Sequence, residues 1–567
     1  MKNTINSLII FCKKHAEIMS CLCLFVFCYI FLFHQLGLNP LIDVDETRYA
    51  DMAREILQKS DWITMHLNFN IFYEKPPLYF WMLASSYMLF GKISEFTARF
   101  PIALTASFAV FYTYYFGKKT ISRVFGLISA LILLSCIQFL VLARVAIIDM
   151  ILSTFIMSSI YSGFLTYFCK ESNQKYYWWA AYFFSALAVL AKGLPGLILP
   201  FAVMGFVATI TGNLKKMFKP ENILPGFVIF FTISLPWHLA IFHKNGMAFV
   251  NDYIIKQHFS RFIDSKGIGR QAPLYFFLPV FAVGFFPWIC SFLASTINGI
   301  KHLTKDNILS LYTKLKDIFA VNEEKRTEKL LVLMICYFAL VMLFFSASST
   351  KLATYILPLY PAAALLTGYY WYQFIENGKN NSGIKISTGI FSVILLLAGV
   401  AAIFIVPVLN NKGIVFLSAP LKTYTIALAL ITAIANFIFI RFNKKVLLFT
   451  SQLLFMVGIL LISINYVIPM IYNGGENELV SYAKFAKQYN KKLITFDFGV
   501  RPSTLFYYEK QVDFIKTCDY QRLKRDLTVN SVIIIKTENL EDTAKNIKFK
   551  IVNKGKKYSL LSEIISD

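Results

Sequence analysis

The chain has 567 residues, of which 57% are hydrophobic and only 16% are charged. A water-soluble protein with this balance has too little polar surface to cover itself, so the composition indicates a polytopic helical membrane protein. The formal net charge of +24 is spread over short basic clusters between apolar runs, as in loops that face anionic lipid. We therefore expect contact with membrane lipid and none with nucleic acid.

Thirteen segments are long and apolar enough to be predicted membrane spans. They lie near residues 16–37, 97–116, 121–142, 146–168, 176–191, 193–211, 222–243, 273–296, 330–346, 352–375, 385–408, 422–440 and 446–469. The first follows Lys13 and Lys14, as in a signal peptide, but it is long enough to span and lacks a small-residue cleavage site. We expect it to be a retained helix.

One further apolar run, residues 77–90, decides the orientation of the chain. It covers only about 21 Å as a helix, short of a hydrocarbon core of about 30 Å. If it does not cross, all the basic clusters share the cytoplasmic side, which satisfies the positive-inside rule. These clusters are Lys13/Lys14, Lys118/Lys119/Arg123, Lys170/Lys175, Lys215/Lys216/Lys219, Lys325/Arg326/Lys329, Lys379/Lys385 and Arg441/Lys444/Lys445.

The same solution places residues 43–75, Asp149, Lys192, the 244–272 loop, Lys351 and the C-terminal region on the outer face, which is the periplasm in a bacterium. We thus predict an inner-membrane protein with a transmembrane domain over residues 1–470 and juxtamembrane helices within 43–90. Residues 471–567 are predicted to form a small periplasmic α/β domain, because 492–497 and 531–536 read as strands between polar helical stretches.

The first outer segment has the pattern of an amphipathic helix lying on the membrane. Its apolar positions recur with helical spacing, at Tyr49, Met52, Ala53, Ile56 and Leu57. Polar side chains occupy the other face, at Asp51, Arg54, Glu55, Gln58 and Lys59.

Five outer-face stretches carry the charged and aromatic groups that a reaction on anionic lipid needs. They are residues 45–49, 73–77, 144–149, 191–193 and 348–358. Lysine and arginine suit phosphate groups, as a point charge and a bidentate fork respectively. A carboxylate among them is held ionised, available as a base or an electrostatic anchor.

Each of these groups also has a structural interpretation. Lys192 and Lys351 fit snorkelling anchors, and Asp149 fits a helix cap. Tyr355 fits the aromatic belt of the interface, and His258 and Arg261 fit polar loop residues. Capping explains one acid near Asp45, but it does not explain the further charges gathered on the same face: Glu46, Arg48, Glu74 and Lys75.

The motifs resemble those of the bacterial lipid A aminoarabinose transferases, which are GT-C glycosyltransferases related to the protein O-mannosyltransferases. The shared motifs, in chain order, are Asp45-Glu-x-Arg-Tyr-Ala, Glu74-Lys-Pro-Pro-Leu, Ala143-Arg…Asp149, Ala191-Lys-Gly and Lys351-Leu-x-x-Tyr-Ile-Leu-Pro358. The resemblance covers most of the chain. It implies an all-α GT-C membrane fold of about 13 helices with a small outer domain.

The resemblance also implies a reaction: transfer of a sugar from a polyprenyl-phosphate carrier to lipid A or another envelope acceptor. It makes Asp45 the key acid, with Asp149 and Glu74 as further catalytic candidates. Binding of donor or acceptor then falls to Arg48, Tyr49, Lys75, Lys192, His258, Arg261, Lys351 and Tyr355. A divalent metal ion between Asp45, Glu74 and His258 is an open possibility that no ligand spacing supports.

Other functions stay open at this stage. The acceptor is a lipid A phosphate, a protein or another glycan, and the sugar is aminoarabinose, galactosamine or another sugar. A lipid-linked sugar transporter is less well supported, because transporters keep polar groups at mid-membrane and often show inverted repeats, which this chain lacks. The enzyme interpretation requires that Asp45, Lys75 and Asp149 converge in a single cavity covered by the C-terminal domain.

Overall fold

The computed structural model describes residues 15–253, 255, 272–303, 318–319, 325–379, 381–411, 419–472, 476–516, 519–528 and 530–563. Its membrane part is built of helices. In chain order these are Ala16–Cys28, Asp45–Lys59, Leu78–Phe90, Glu95–Thr120, Arg123–Ser135, Ile137–Leu142, Asp149–Leu165, Glu171–Lys192, Pro195–Ile210, Leu214–Met217, Pro220–Asn245, Met247–Phe249, Phe277–Gly284, Ile289–Leu303, Arg326–Ala347, Tyr360–Ile375, Asn381–Asn411, Ala419–Arg441, Lys445–Ile462 and Ile468–Tyr472. A 3-10 segment, Ala353–Leu359, precedes Tyr360–Ile375.

Six of the described helices are long and apolar enough to cross a membrane, and a bent pair makes a seventh if it counts as one span. Others that the sequence predicts as spans are shorter, among them Asp149–Leu165 and Pro195–Ile210. The chain is a multi-pass membrane protein, while the count of thirteen spans stays a prediction. Whether Leu78–Phe90 crosses the membrane stays a prediction as well.

Two predicted spans are broken, which is a correction to the expected continuous helices. The 273–296 segment bends by 116° between Leu274–Gly284 and Ile289–Ile297, at Pro287, which has no N–H to continue a helix. The 121–142 segment breaks at Cys136, whose backbone is extended. The Ile137 N–H beyond that break donates to the Phe286 carbonyl at 3.1 Å. Backbone groups that lose their helical hydrogen bonds inside a membrane must find other partners. Here the N–H freed at the Cys136 break bonds to the carbonyl freed at the Pro287 break.

The basic clusters meet at one end of the helix bundle. Arg326, at the start of Arg326–Ala347, donates to the carbonyl oxygens of Lys119 (3.1 Å) and Phe168 (3.4 Å). Three of the predicted cytoplasmic clusters, around residues 118–123, 170–175 and 325–329, therefore lie side by side. This agrees with the sharing of one face that the charge pattern predicts.

The C-terminal region forms a five-stranded mixed sheet in the order β4-β3-β5-β7-β6. Its strands are β3 (Lys492–Phe496), β4 (Asp513–Ile515), β5 (Ser531–Lys536), β6 (Lys550–Lys554) and β7 (Tyr558–Ser562), while β1 (His66–Leu67) and β2 (Asn70–Ile71) form a separate hairpin. The parallel pairs are β3/β4 and β3/β5, and the antiparallel pairs are β5/β7 and β6/β7. Its helices are Glu476–Gln488, Pro502–Tyr508, Tyr520–Asp526 and Leu540–Asn546. Both predicted strands form, and the domain boundary at 471 stays a prediction.

The two faces of this sheet belong to different cores. Ile494, Ile533 and Leu561 pack into a small core within the C-terminal domain. Their neighbours Leu493 and Val532 point the other way and join the large core that continues into the membrane helices. This face contacts the helix Glu476–Gln488, which packs on Pro502–Tyr508, and that helix in turn contacts Asp45–Lys59.

The helix Pro502–Tyr508, called here the docking helix, holds the C-terminal domain against the segment that precedes Asp45. Asp43 accepts hydrogen bonds from the Ser503 N–H (2.9 Å) and hydroxyl (2.7 Å). The Tyr507 hydroxyl accepts from the Leu41 N–H and donates to Glu95, both at 3.0 Å. The docking helix therefore contacts the segment before Asp45, while a cover over the site itself stays a prediction.

The Asp45–Lys59 helix forms where the pattern predicts it, but most of its polar face is buried, and only Gln58 and Lys59 of that face are exposed. Asp51, Arg54 and Glu55 are fully buried. Asp51 forms an ion pair with Arg54, and Glu55 accepts from the Phe69 N–H of the hairpin turn. The helix is enclosed by Leu78–Phe90, the hairpin and the docking helix. Periodicity correctly separates the two faces but cannot show that protein covers the polar one.

The buried Asp51 predicts a pH dependence of stability. Burial raises the pKa of its carboxyl from 3.8 to about 7, although Arg54 acts in the opposite direction. An acid whose pKa is raised by folding binds its proton more tightly in the folded chain. The free energy of unfolding therefore falls as pH rises from about 4 to about 7, by at most about 1.4 kcal/mol per pH unit for this group.

We expect Asp51→Asn to reduce that slope, measured as the apparent melting temperature in detergent between pH 4 and 8. Part of the slope should remain in this variant, because burial also raises the pKa of Glu55. Asp542→Asn is the control, because its side chain is 73% exposed, and it should keep the slope of the unchanged chain. An identical slope in Asp51→Asn would contradict the prediction.

Candidate active site

The first part of the site is the start of the Asp45–Lys59 helix. Asp45 forms an ion pair with Arg48, one turn later, and 55% of the Asp45 side chain remains exposed. The Arg48 guanidinium lies 5.2 Å from the centroid of the Tyr49 ring. The spacing of three residues places both charges on one side of the helix, and the exposed carboxylate faces open space.

The second part joins two helix ends. Asp149 begins Asp149–Leu165, and Lys192 ends Glu171–Lys192. Their side chains form an ion pair and are only 14% and 18% exposed. The Lys192 ammonium also lies 5.0 Å from the centroid of the Tyr355 ring. A snorkelling lysine extends towards water, whereas Lys192 turns inward to a carboxylate and an aromatic face.

Tyr49 connects the two ion pairs. Burial raises the pKa of its hydroxyl to about 12, and this hydroxyl also experiences the charges of both pairs. Arg48, Asp45, Lys192 and Asp149 are therefore close to one phenol oxygen. The two ion pairs, far apart in sequence, therefore lie near the same side chain.

Glu74 belongs to the same group of charges. Burial alone would lower the pKa of the Arg48 guanidinium, but nearby negative groups, Glu74 among them, raise it. Lys75 is half-buried beside Glu74. Glu74 of the second predicted motif thus lies near Arg48 of the first, and the convergence of Lys75 on the same site stays a prediction.

The remaining predicted residues are placed differently. Lys351 is buried, and its ammonium donates to the Ser348 carbonyl at 2.7 Å. This contact caps its own segment at the end of Arg326–Ala347 and is not a contact with the two ion pairs. His258 and Arg261 lie outside the described residues.

Glu46 and Arg99 form a buried ion pair that the sequence analysis did not identify. Arg99 donates from Nε and Nη2 to the two Glu46 oxygens at 2.7 and 2.8 Å. The same carboxylate accepts from the N–H groups of Ile42 and Ala146, both at 2.7 Å. A lone arginine within the predicted 97–116 span was the available signal, because charges in apolar runs are costly unless they are paired.

This network fixes both acid-bearing segments. Glu46 is the neighbour of Asp45, and Ala146 lies three residues before Asp149. Arg99 also donates to three carbonyl oxygens near the end of the first helical segment, at Leu36, Asn39 and Pro40. The positions of Asp45 and Asp149 are thus set by one buried carboxylate.

The site carries charges of both signs, so it suits a reactant with an anionic group and an amine or another cationic group. Arg48 and Lys192 can bind phosphate oxygens, and the exposed Asp45 carboxylate can bind an amine or stabilise positive charge. Over the described ranges, no three His, Cys, Asp or Glu side chains are grouped so as to hold a metal ion. The predicted metal partner His258 lies outside those ranges, so a divalent ion between Asp45, Glu74 and His258 is neither supported nor contradicted by the structure.

Known proteins with similar sequences include lipid-linked sugar transferases. The family described as dolichyl-phosphate-mannose-protein mannosyltransferase matches residues 74–239. An undecaprenyl phosphate-alpha-4-amino-4-deoxy-L-arabinose arabinosyl transferase of Yersinia enterocolitica is 28% identical over 58% of this chain and 54% of its own length. The chain thus spans about half the length of that relative. An uncharacterized protein of Aquifex aeolicus is 30% identical over 66% of this chain and 67% of its own length.

Similarity to solved structures covers nearly the whole chain. The crystal structure of ArnT from Cupriavidus metallidurans bound to undecaprenyl phosphate superimposes with a TM-score of 0.77, at 17% identity, over 97% of this chain and 98% of that one. Its apo state gives a TM-score of 0.74 at 18% identity with the same coverage. At this identity the likeness establishes the fold.

The Glu46–Arg99 pair predicts a large effect on stability. We expect Arg99→Met to destabilise the chain by about 3–5 kcal/mol, because it leaves a buried carboxylate without its cation. The measurement is the unfolding transition in detergent. Lys118→Met is the matched control, since the Lys118–Glu17 pair is exposed and its loss should cost less than about 1 kcal/mol. Equal effects of the two substitutions would contradict the assignment.

Proposed function

Given that this chain belongs to the lipid A aminoarabinose transferase-like family of GT-C glycosyltransferases, we propose that it transfers a sugar from a polyprenyl-phosphate carrier to a phosphate of lipid A. The observation that carries this proposal is the convergence of the Asp45–Arg48 and Asp149–Lys192 ion pairs around Tyr49. Two cations and two acids in one cavity match a donor with an anionic leaving group and an acceptor that is itself a phosphate.

The donor is proposed to bind through its phosphate. Arg48 offers a planar fork of N–H donors, and Lys192 offers a point charge, so both are suited to phosphate oxygens. Lys75, next to Glu74 in the adjoining motif, is proposed as a third cation for the same group. The apolar polyprenyl chain then remains in the lipid. This arrangement agrees with the donor named for the Yersinia relative, undecaprenyl phosphate-linked 4-amino-4-deoxy-L-arabinose.

The proposed reaction is a direct displacement at the anomeric carbon. An acceptor oxygen forms a bond to this carbon while the bond to the carrier phosphate breaks, and the electron pair leaves with the polyprenyl phosphate. The cations stabilise the charge that develops on this leaving group. No strong base is required when the acceptor is already a phosphate anion.

The acids are proposed to act on the sugar and on the cations. Asp45, with its exposed carboxylate, orients an amine of the sugar or stabilises positive charge at the anomeric carbon. Asp149 holds Lys192 in place through their ion pair, and Glu74 acts on Arg48 electrostatically. An amino sugar, either aminoarabinose or galactosamine, fits a cavity in which a carboxylate remains accessible. Tyr49 and Tyr355 supply aromatic walls for the sugar.

The proposed location is the periplasmic face of the bacterial inner membrane. The positive-inside rule supports it, since three of the basic clusters meet at one end of the bundle. Residues 471–567 are proposed to form a periplasmic domain that covers the site through the docking helix. The second candidate is transfer to protein, which is favoured by the match of residues 74–239 to the protein mannosyltransferase family.

The direct test is the mass of lipid A from cells that do and do not express the chain. We expect a new lipid A species heavier by one amino sugar when the chain is present. The purified chain, supplied with a polyprenyl-phosphate amino sugar and lipid A, should produce the same species. If lipid A is unchanged in both experiments, the lipid A proposal is wrong and protein acceptors should be assayed instead.

Asp45→Asn should reduce transfer by at least about 100-fold, because it removes the accessible charge from the cavity. Folding should be unaffected, since most of this side chain is exposed, and the melting temperature in detergent checks this. Asp542→Asn, another exposed acid in an i,i+3 pair, should retain full activity. A fully active Asp45→Asn chain would exclude Asp45 from the mechanism.

Lys192→Gln should weaken donor binding and lower turnover together, by about 10- to 100-fold in kcat/KM, because the ammonium contacts the donor phosphate and stabilises the leaving group. Inhibition by free polyprenyl phosphate should weaken in parallel. Lys244→Gln is the control, since Lys244 pairs with Asp61 elsewhere on the same predicted face. Unchanged inhibition in Lys192→Gln would remove Lys192 from the phosphate site.

A further inference from the structure

A second cavity, of about 260 Å3, lies at the end of the helix bundle opposite to the candidate active site. It is bounded by the turn after Asp149–Leu165, the first turns of Glu171–Lys192 and the start of Arg326–Ala347. Its lining side chains include Tyr167, Trp178, Lys170, Glu171, Arg326 and Lys329.

The distance between the two sites follows from the helices that they share. Asp149 starts a helix of 17 residues whose far end reaches the cavity, which places the two about 25 Å apart at 1.5 Å per residue. Glu171–Lys192 runs back in the opposite direction, from the cavity to Lys192. The cavity is therefore separate from the candidate active site, not an extension of it.

The charges in the cavity are mainly positive. Three of the lining side chains are cationic, those of Lys170, Arg326 and Lys329, and one, that of Glu171, is acidic. Among the lining side chains that the structure describes, cations thus outnumber acids by three to one. Arginine and lysine are the residues that bind phosphate oxygens best, so this charge balance favours a phosphate group over a neutral ligand.

The cavity is also pre-formed. The Arg326 guanidinium is held by the carbonyl oxygens of Lys119 and Phe168, and the Gln174 amide is held by the Thr166 carbonyl at 3.1 Å. Lys329 and Trp178 are each only 6% exposed. Side chains fixed in this way lose little freedom when a ligand binds.

Aromatic side chains give the cavity an apolar wall. Tyr167 and Phe319 pack edge to face with their ring centroids 5.1 Å apart, and Trp178 and Phe168 complete the lining. A volume of 260 Å3 lies just under the 300–1,000 Å3 that is typical of small-molecule sites. It accommodates a phosphate group with its adjoining glycerol-sized portion.

We propose that this cavity binds the phosphate group of an anionic ligand at the membrane face opposite to the candidate active site. The ligand is either the headgroup of an anionic phospholipid or a free phosphate, because both present the same oxygens to Arg326, Lys329 and Lys170. The location among basic clusters at the predicted cytoplasmic surface agrees with both sources. The site does not depend on the transfer reaction.

The test uses the full chain in phosphatidylcholine nanodiscs with two probes, dihexanoyl phosphatidic acid and inorganic phosphate. The readout is the concentration at which each probe raises the melting temperature, since a ligand of the folded state stabilises it. We expect at least one probe to stabilise the unchanged chain. Stabilisation by both assigns the site to the phosphate group alone, and stabilisation by the lipid probe alone shows that the aromatic wall contributes.

Two variants test the site with opposite signs. Arg326→Gln should raise the required probe concentration about tenfold, because it removes a charge-assisted contact. Glu171→Gln, at an exposed position, should lower it, because it removes the only acid among the lining residues. Arg441→Gln, an exposed arginine outside the cavity, should change nothing.

Two outcomes would overturn the proposal. One is that neither probe stabilises the unchanged chain, and the other is that Glu171→Gln and Arg441→Gln respond alike. Because Glu171 is exposed, its substitution does not endanger the fold, so the comparison stays decisive even if Arg326→Gln is unstable. No step of the test measures sugar transfer, so its result is independent of the proposed function.

Discussion

The buried ion pair between Glu46 and Arg99 is the interaction on which the arrangement of this protein depends. Removing two charges from water is costly, and the cost is offset only when every polar atom of the pair is bonded. Here the carboxylate receives four hydrogen bonds, and the guanidinium reaches three further carbonyl oxygens. These bonds hold together the end of the first helical segment, the start of the Asp45 helix and the turn before Asp149. The candidate catalytic acids are neighbours of this pair and need not supply the binding energy that positions them.

The charges of the candidate site are paired with one another, and this pairing suits the proposed chemistry. Arg48 is held by Asp45, and Lys192 is held by Asp149, so neither cation is left exposed to a lipid environment without a partner. A phosphate that enters the cavity competes with these carboxylates for the same N–H donors. The release of Asp45 from Arg48 would then make its carboxylate available for the sugar. Exchange of partners within a preorganised group costs less reorganisation than the assembly of new contacts from solvent.

The sequence allowed prediction of local features but not of contacts between distant segments. The helical spacing after Asp45 and the strands at 492–497 and 531–536 could be predicted, since each depends on neighbouring residues. The charged residues of the two ion pairs belong to motifs that resemble those of a known family, but the pairing of Asp149 with Lys192 across 43 positions was not predicted. The partner of Glu46 could not be predicted either, because Arg99 lies 53 positions away within a run that reads as an ordinary span. The same reason applies to Ser503, which binds Asp43 across 460 positions. The break at Pro287 had a local signal in the proline itself, whereas the break at Cys136 could not be predicted, because the Ile137 N–H beyond it bonds to the distant Phe286 carbonyl.

The sheet of the C-terminal domain has one face in its own core and one face in the core of the membrane part. A domain attached in this manner cannot open by a rigid-body hinge motion. To lift it away, the chain would have to separate the docking helix from the Asp45–Lys59 helix and break the hydrogen bonds that Asp43 receives from Ser503. The proposed cover over Asp45 is therefore fixed in place, and we expect donor and acceptor to reach the site laterally, between the helices. That route is natural for molecules whose long hydrocarbon tails never leave the lipid.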